Sequence, residues 1–208
     1  MADGGTRHGQ HAELASGTCV RIAKNIYRSD AGDVLIESIA RVVNSELLRR
    51  VSEDEPIGST TLAMVHASAS GRVLGTILGD GAILRLRRDE PIETVRSLRK
   101  YDYYFEDETK LHDADALYDT LPWWLRVSIM SSLPWASQGI VPRLVALRPE
   151  PGDLLVVCSD GISELMSPRN IAAATEGHRP HDVTAALIAA ARALGGRDDA
   201  TCAVARWP

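Results

Sequence analysis

The run Leu154, Leu155, Val156, Val157, Cys158, followed at once by Ser159-Asp160-Gly161, constrains this chain more than any other stretch. Five consecutive apolar residues closed by a turn signal read as a strand buried on both faces. Where that strand ends, the backbone leaves the sheet at Asp160 and sets a carboxylate at its rim. An Asp-Gly pair alone is a turn signal, because Asp tolerates the left-handed region and Gly accepts positive φ. Its position after a buried strand gives this one a second meaning. Asp198 stands in the same way before another apolar run, Thr201 to Val204.

The remaining pattern supplies layers for such a strand. From His11 to Arg28, apolar residues at Ala12, Ala15, Cys19, Ile22, Ala23 and Ile26 have the spacing of one helix face. A second helix follows, with Ile36, Ile39, Ala40, Val43 and Leu47 as its stripe, Asp33 as N-cap, and Arg49 and Arg50 at its C-terminal end. Three β-favouring runs, Thr60 to Ala67, Arg72 to Leu78 and Ala82 to Arg87, are separated by turn signals and predict an antiparallel meander. Strands are expected again at Arg143 to Arg148, Asp153 to Cys158 and Thr201 to Arg206, with a helix from His181 to Leu194. Between them, residues 102 to 119 hold seven acids against the single Lys110 and read as a solvated flap. Leu121 to Trp135, with Trp123, Trp124 and Trp135, reads as a small amphipathic helix on the body. Helices flanking sheet-forming runs with antiparallel connections predict an α+β architecture with central sheets and outer helices. The 208 residues fit one domain with an insertion at about 100–140.

Composition narrows the partners. A formal charge of -5 gives no basic footprint for nucleic acid. The longest membrane candidate, Pro122 to Val141, is broken by Arg126 and Pro134, so no membrane partner is expected. The first ten residues lack an apolar signal-peptide core, which predicts a cytoplasmic protein. Cys19, Cys158 and Cys202 are odd in number and widely spaced, fitting reduced thiols better than a disulfide or zinc framework.

Carboxylates at the ends of adjacent strands converge, and they repel unless a cation sits between them. Asp3-Gly4, Asp80-Gly81, Asp160-Gly161 and the pair Asp198-Asp199 are all hard oxygen donors with no matched His or Cys, a set that prefers Mg²⁺ or Mn²⁺ to zinc. Two such ions sharing a carboxylate can hold a water that attacks phosphorus in line, so the predicted chemistry is phosphoester hydrolysis.

The segments ADGGTRHGQHAELAS, GSTTLAMV, LGDGAILRLR, PGDLLVVCSDGISELMS and GRDDATCAVA, in this order, resemble the metal-dependent protein serine/threonine phosphatases of the protein phosphatase 2C (PPM) type. The resemblance implies a four-layer α-β-β-α sandwich and a phosphatase acting on phosphoserine or phosphothreonine in a phosphoprotein substrate, with a Ser/Thr kinase or its targets as associated partners. It implies two Mg²⁺ or Mn²⁺ ions, with Asp3 bridging both, Gly4 lending a carbonyl, and Asp160 and Asp198 as further ligands. Asp80 and Glu164, with Asp160, match a third, weaker metal site. Asp199 stands where the family has Asn and is expected to face solvent. Family members open with two strands carrying a phosphate-binding Arg and an acidic ligand, whereas here Asp3 is the third residue. The chain is therefore expected to be N-terminally incomplete and a poor phosphatase as written, with Arg7 the candidate to replace the phosphate-binding Arg and His8 a weak candidate general acid. Two other readings stay open: a phosphatase fold that regulates or scaffolds a kinase or other partner without catalysis, and a small-molecule phosphohydrolase.

Overall fold

A computed structural model of the chain describes residues 10–28, 35–52, 60–68, 71–88, 90–91, 93–96 and 143–208. Helix α1 (Gln10–Arg28) and helix α2 (Leu35–Ser52) form where the sequence predicts them. Ala15, Cys19 and Ala23 on α1 and Ile39, Val43 and Leu47 on α2 are spaced by about one turn, so each helix offers one apolar stripe to bury. At the end of α2, Arg49 and Arg50 each donate to the Glu46 carboxylate one turn back, at 2.9 and 3.1 Å.

Both stripes pack on a first sheet of strand order β1-β2-β5, with β1 at Leu62–Ala67, β2 at Val73–Leu78 and β5 at Arg143–Leu147. Leu62 and Leu78 face the helices, while Ala63, Val73, Ile77, Val145 and Leu147 face the other way. There they meet Ile83, Leu155 and Val157 from a second sheet of order β4-β3-β6-β7. Its strands are β3 (Ala82–Leu86), β4 (Glu93–Arg96), β6 (Leu154–Cys158) and β7 (Cys202–Arg206). Gly75 makes this face-to-face contact close: a Cβ there would stand 2.7 Å from Ile83 Cδ1. The outer face of the second sheet, Leu84, Val156 and Cys158 among others, is covered by Ile162, Met166, Ile171, Val183 and Leu187. These come from a single-turn helix α3 (Asp160–Ser163), helix α4 (Pro168–Thr175), helix α5 (Pro180–Ala193) and the residues between α3 and α4. Helices, sheet, sheet, helices: the described residues build the four-layer α-β-β-α sandwich.

One expectation is corrected. The runs from 60 to 87 do not form a three-strand meander, because only β1 and β2 pair and β3 pairs with β4 and β6 in the other sheet. Gly79, at φ 95°, turns the chain out of the first sheet, and Ala82 already lies in the second. Residues on both sides of the crossover are buried on both faces, so apolar patterning alone does not reveal which sheet receives β3. Helix α4 was not anticipated although Ser167-Pro168 announces it: Ser167 Oγ accepts from Asn170 N at 3.2 Å and Pro168 takes the first helical position. The acidic stretch 102–119, the tryptophan-rich stretch 121–135 and Asp33 lie outside the described residues. Among the described residues, no helix is long and apolar enough to cross a membrane.

Candidate functional site

Register decides which acids share an end of the sandwich. Ala82 pairs with Cys158, and Cys158 pairs with Cys202, so the entry to β3, the exit from β6 and the entry to β7 lie side by side. The Gly79–Gly81 crossover runs from the end of β2 at Leu78 straight into Ala82 and so lies at the same edge. Asp80, Asp160 and Asp198 are therefore carried to one rim by three neighbouring strands. Glu164 joins them through α3, where its N–H donates to Asp160 O at 2.8 Å, one turn back.

The loops of Asp160 and Asp198 are fastened to each other. Ser159 N donates to Thr201 O at 3.0 Å, and Ser159 Oγ accepts from Thr201 N at 3.0 Å while donating to Asp199 O at 3.3 Å. Ser159 is buried, and its hydroxyl thus spends both kinds of hydrogen bond on the opposite loop. Gly161 completes the approach. A Cβ there would lie 3.0 Å from the Asp199 carbonyl carbon and 3.2 Å from Ala200 Cα, so only glycine lets the two backbones come this near. Each carboxylate is also held locally: Asp160 Oδ1 accepts from Gly161 N at 2.8 Å and Asp198 Oδ1 from Asp199 N at 2.9 Å. Asp80 and Asp160 are half-buried, Glu164 is buried, and Asp198 and Asp199 are exposed.

The donor chemistry at this rim is carboxylate and carbonyl oxygen, which fits a hard divalent cation. Among the described residues, no group of three His, Cys, Asp or Glu side chains is close enough to hold a metal by itself. Asp3, Gly4, Arg7 and His8 lie outside the described residues. The acids are legible in the sequence but the clasp that joins their loops is not, because nothing in a single Ser-Asp-Gly motif names the strand that Ser159 will meet.

A cleft of about 860 Å³ lies at the other end of β3 and β6. Here Arg87 donates twice to Asp153, Nε to Oδ1 at 3.0 Å and Nη2 to Oδ2 at 2.9 Å, and its Nη1 lies 3.0 Å from Glu150. The guanidinium holds the Asp153 carboxyl below the usual Asp range, with the Glu150 backbone N–H adding a hydrogen bond. This arrangement is a part-buried latch between β3 and the turn before β6.

A family model for protein phosphatase 2C matches residues 1–182, and the chain belongs to that family. Its enzyme class is protein serine/threonine phosphatase. Solved structures agree in fold. The serine/threonine phosphatase PstP/Ppp of Mycobacterium tuberculosis aligns with a TM-score of 0.77 at 24% identity, over 99% of this chain and 85% of that one. The catalytic domain of PstP in complex with two manganese ions aligns with a TM-score of 0.75 at 23% identity, over 99% and 84%. Stp1 of Staphylococcus aureus aligns with a TM-score of 0.82 at 18% identity, over 100% and 82%. Comparison with curated proteins yields no match.

Proposed function

We propose that this chain is a divalent-metal-dependent phosphatase of phosphoserine and phosphothreonine in protein substrates, working in the cytoplasm. The observation that supports the reading is the clasp between Ser159, Gly161 and the 199–201 backbone, which holds together the loop after β6 and the loop before β7, the loops that carry Asp160 and Asp198. A cation shared by two carboxylates requires the segments that carry them to be held near each other. Asp160 and Asp198, together with Asp3 and the Gly4 carbonyl, would hold two Mg²⁺ or Mn²⁺ ions. Asp80 and Glu164, with Asp160, would hold a third more weakly, and Arg7 would grip the phosphate with two donors. When bound, the ions supply charge neutralisation at the phosphoryl group and an activated water for in-line attack. The two manganese ions of the PstP catalytic domain support the choice of metal.

The residues of the chain then have distinct tasks. Asp160 and Asp198 would contribute the negative charge, Ser159 and Gly161 hold their loops together, and Glu164 rides on the turn that begins at Asp160. The test is Asp160→Asn and Asp198→Asn, each of which keeps shape and removes charge. Hydrolysis of a phosphopeptide in Mn²⁺ should fall by about 100-fold or more in each, and calorimetric titration should show Mn²⁺ binding at least about tenfold weaker. Unchanged Mn²⁺ affinity in both variants would sink the metal assignment. Because the described acids do not make a three-ligand group by themselves, a wild-type chain that binds no Mn²⁺ and hydrolyses nothing would favour the second reading, a phosphatase fold serving a regulatory partner.

A further inference from the structure

Cys158 closes β6 and Cys202 opens β7, and the two are direct cross-strand partners. The ladder shows what kind of pair they make. Ser159 N donates to Thr201 O at 3.0 Å, and at the far end Trp207 N donates to Asp153 O at 2.8 Å. Hydrogen-bonded and non-hydrogen-bonded pairs alternate along an antiparallel ladder, so with bonded pairs at 159 and 153, position 158 is a non-hydrogen-bonded one. In such a pair the Cα atoms are about 4.5 Å apart and both side chains leave the same face. Disulfides form across Cα separations of about 4.4–6.8 Å. Both thiols turn toward the helix layer, Cys158 fully buried and Cys202 half-buried with its Sγ 4.0 Å from Thr184 O of α5.

We propose that Cys158 and Cys202 are a redox pair that closes to a reversible intramolecular disulfide under peroxide, and that closure shifts the loops bearing Asp160 and Asp198. Peroxide oxidises the more accessible Cys202 to the sulfenic acid and leaves as one water. The Cys158 sulfur attacks that sulfur, the S–S bond forms, and the sulfenic oxygen departs as a second water. Two thiols and one hydrogen peroxide thus give one disulfide and two waters, and a dithiol reductant reverses the bond by exchange. Cβ atoms in an open cross-strand pair stand about 4.5–5.5 Å apart, against about 3.8 Å in a disulfide, while the Cα atoms are already at the short end of the disulfide range, so closure pulls the two Cβ atoms together by twisting the pair locally rather than by bringing the strands closer. The pull falls next to Ser159 and Thr201, whose hydrogen bonds form the clasp. The effect on catalysis rests on the phosphatase reading; the bond itself does not.

The experiment uses the full chain, treated with hydrogen peroxide and then with dithiothreitol. Titratable thiols should fall from three to one, peptide mapping should join 158 to 202 within one molecule, and dithiothreitol should restore all three. Amide hydrogen exchange at Gly161, Asp199 and Thr201 should change by about fivefold or more on oxidation, and should not change in Cys202→Ser. A chain that keeps three thiols, or one oxidised only at Cys202 to the sulfinic acid, overturns the pair. A disulfide formed with unchanged exchange at those amides overturns the coupling. Mn²⁺ titration of the reduced chain is run beside these: a failure there strikes the phosphatase reading and leaves the thiol and exchange results to decide this proposal.

Discussion

Strands β3 and β6 have acids beyond both of their ends, and the two ends treat them in opposite ways. Asp153, just before β6, is buried and gripped by both arms of Arg87, with the Glu150 N–H donating to Oδ2 at 2.8 Å. Asp160, just after β6, is half-buried and takes its own neighbour's N–H. The segments that meet at that rim, 78–82, 158–166 and 198–204, contain five acids and neither Lys nor Arg. Where an acid is matched by a guanidinium, its charge is spent on holding two elements together. Where acids from neighbouring elements are collected on segments 78–82, 158–166 and 198–204, the contacts that fasten those segments are backbone and hydroxyl hydrogen bonds instead. One end is a charge-paired latch, and the other is the end to which we assign metal binding.

The sharpest way to break this contrast is to spoil the acidic end without touching an acid. Gly161→Ala adds one methyl group against the Asp199 and Ala200 backbone, where the nearer atoms are main chain and have no side-chain freedom to yield. The 160 and 199 loops must then part. Phosphopeptide turnover in Mn²⁺ should fall by about 100-fold, with the melting temperature lower by several degrees. Gly17→Ala is the control, since that helical glycine has open space around it and alanine there should stabilise by about 0.5–1 kcal/mol. Equal turnover in both variants would show that the clasp does not set the acids.

The same contrast explains what was legible in the sequence. Helix α1, strand β6 and helix α5 follow from local periodicity, and the rim acids follow from turn signals placed after or before apolar runs. Local signals suffice for them. The latch was not legible, because Arg87 and Asp153 are 66 residues apart and nothing near either names the other. Ser159 escaped for the same reason, its partners lying 40 and 42 residues away. The sheet that receives β3 was misjudged because strands buried on both faces look alike whichever neighbour they pair with.

A second way to sharpen the comparison is Asp153→Asn at the stability end. The change should cost about 2 kcal/mol by chemical denaturation near neutral pH, the scale of hydrogen bonds to a charged group, and leave phosphopeptide turnover within about twofold. Its pH dependence has a definite sign. Arg87 lowers the folded-state pKa of Asp153 below the unfolded value of about 3.9, so the stabilisation is fully present above that value. It is lost as the pH falls through the lowered folded value. The gap between wild type and variant should be constant from about pH 5 to 7 and shrink below about pH 4. A loss of turnover larger than the loss of stability would mean that the latch also serves the rim.

The smallest expected effect separates the acids of the rim from one another. Asp80 sits on the crossover between the sheets, after Gly79 at φ 95°, whereas the loops that carry Asp160 and Asp198 are joined through the Ser159 clasp. On the proposed reading, an acid on the crossover would follow an ion that the clasped loops hold first, and an ion bound mostly through waters needs no tighter placement. Asp80→Ala should therefore lower turnover by about 5- to 10-fold, roughly 1 kcal/mol of transition-state stabilisation, while the tight Mn²⁺ sites titrate as in wild type. Raising the Mn²⁺ concentration should recover part of the lost rate, since a weak site with one ligand fewer is refilled by mass action. If Asp80→Ala instead strips all bound Mn²⁺, the crossover supplies a primary ligand. The binding end then depends on both sheets rather than on the β6–β7 rim alone.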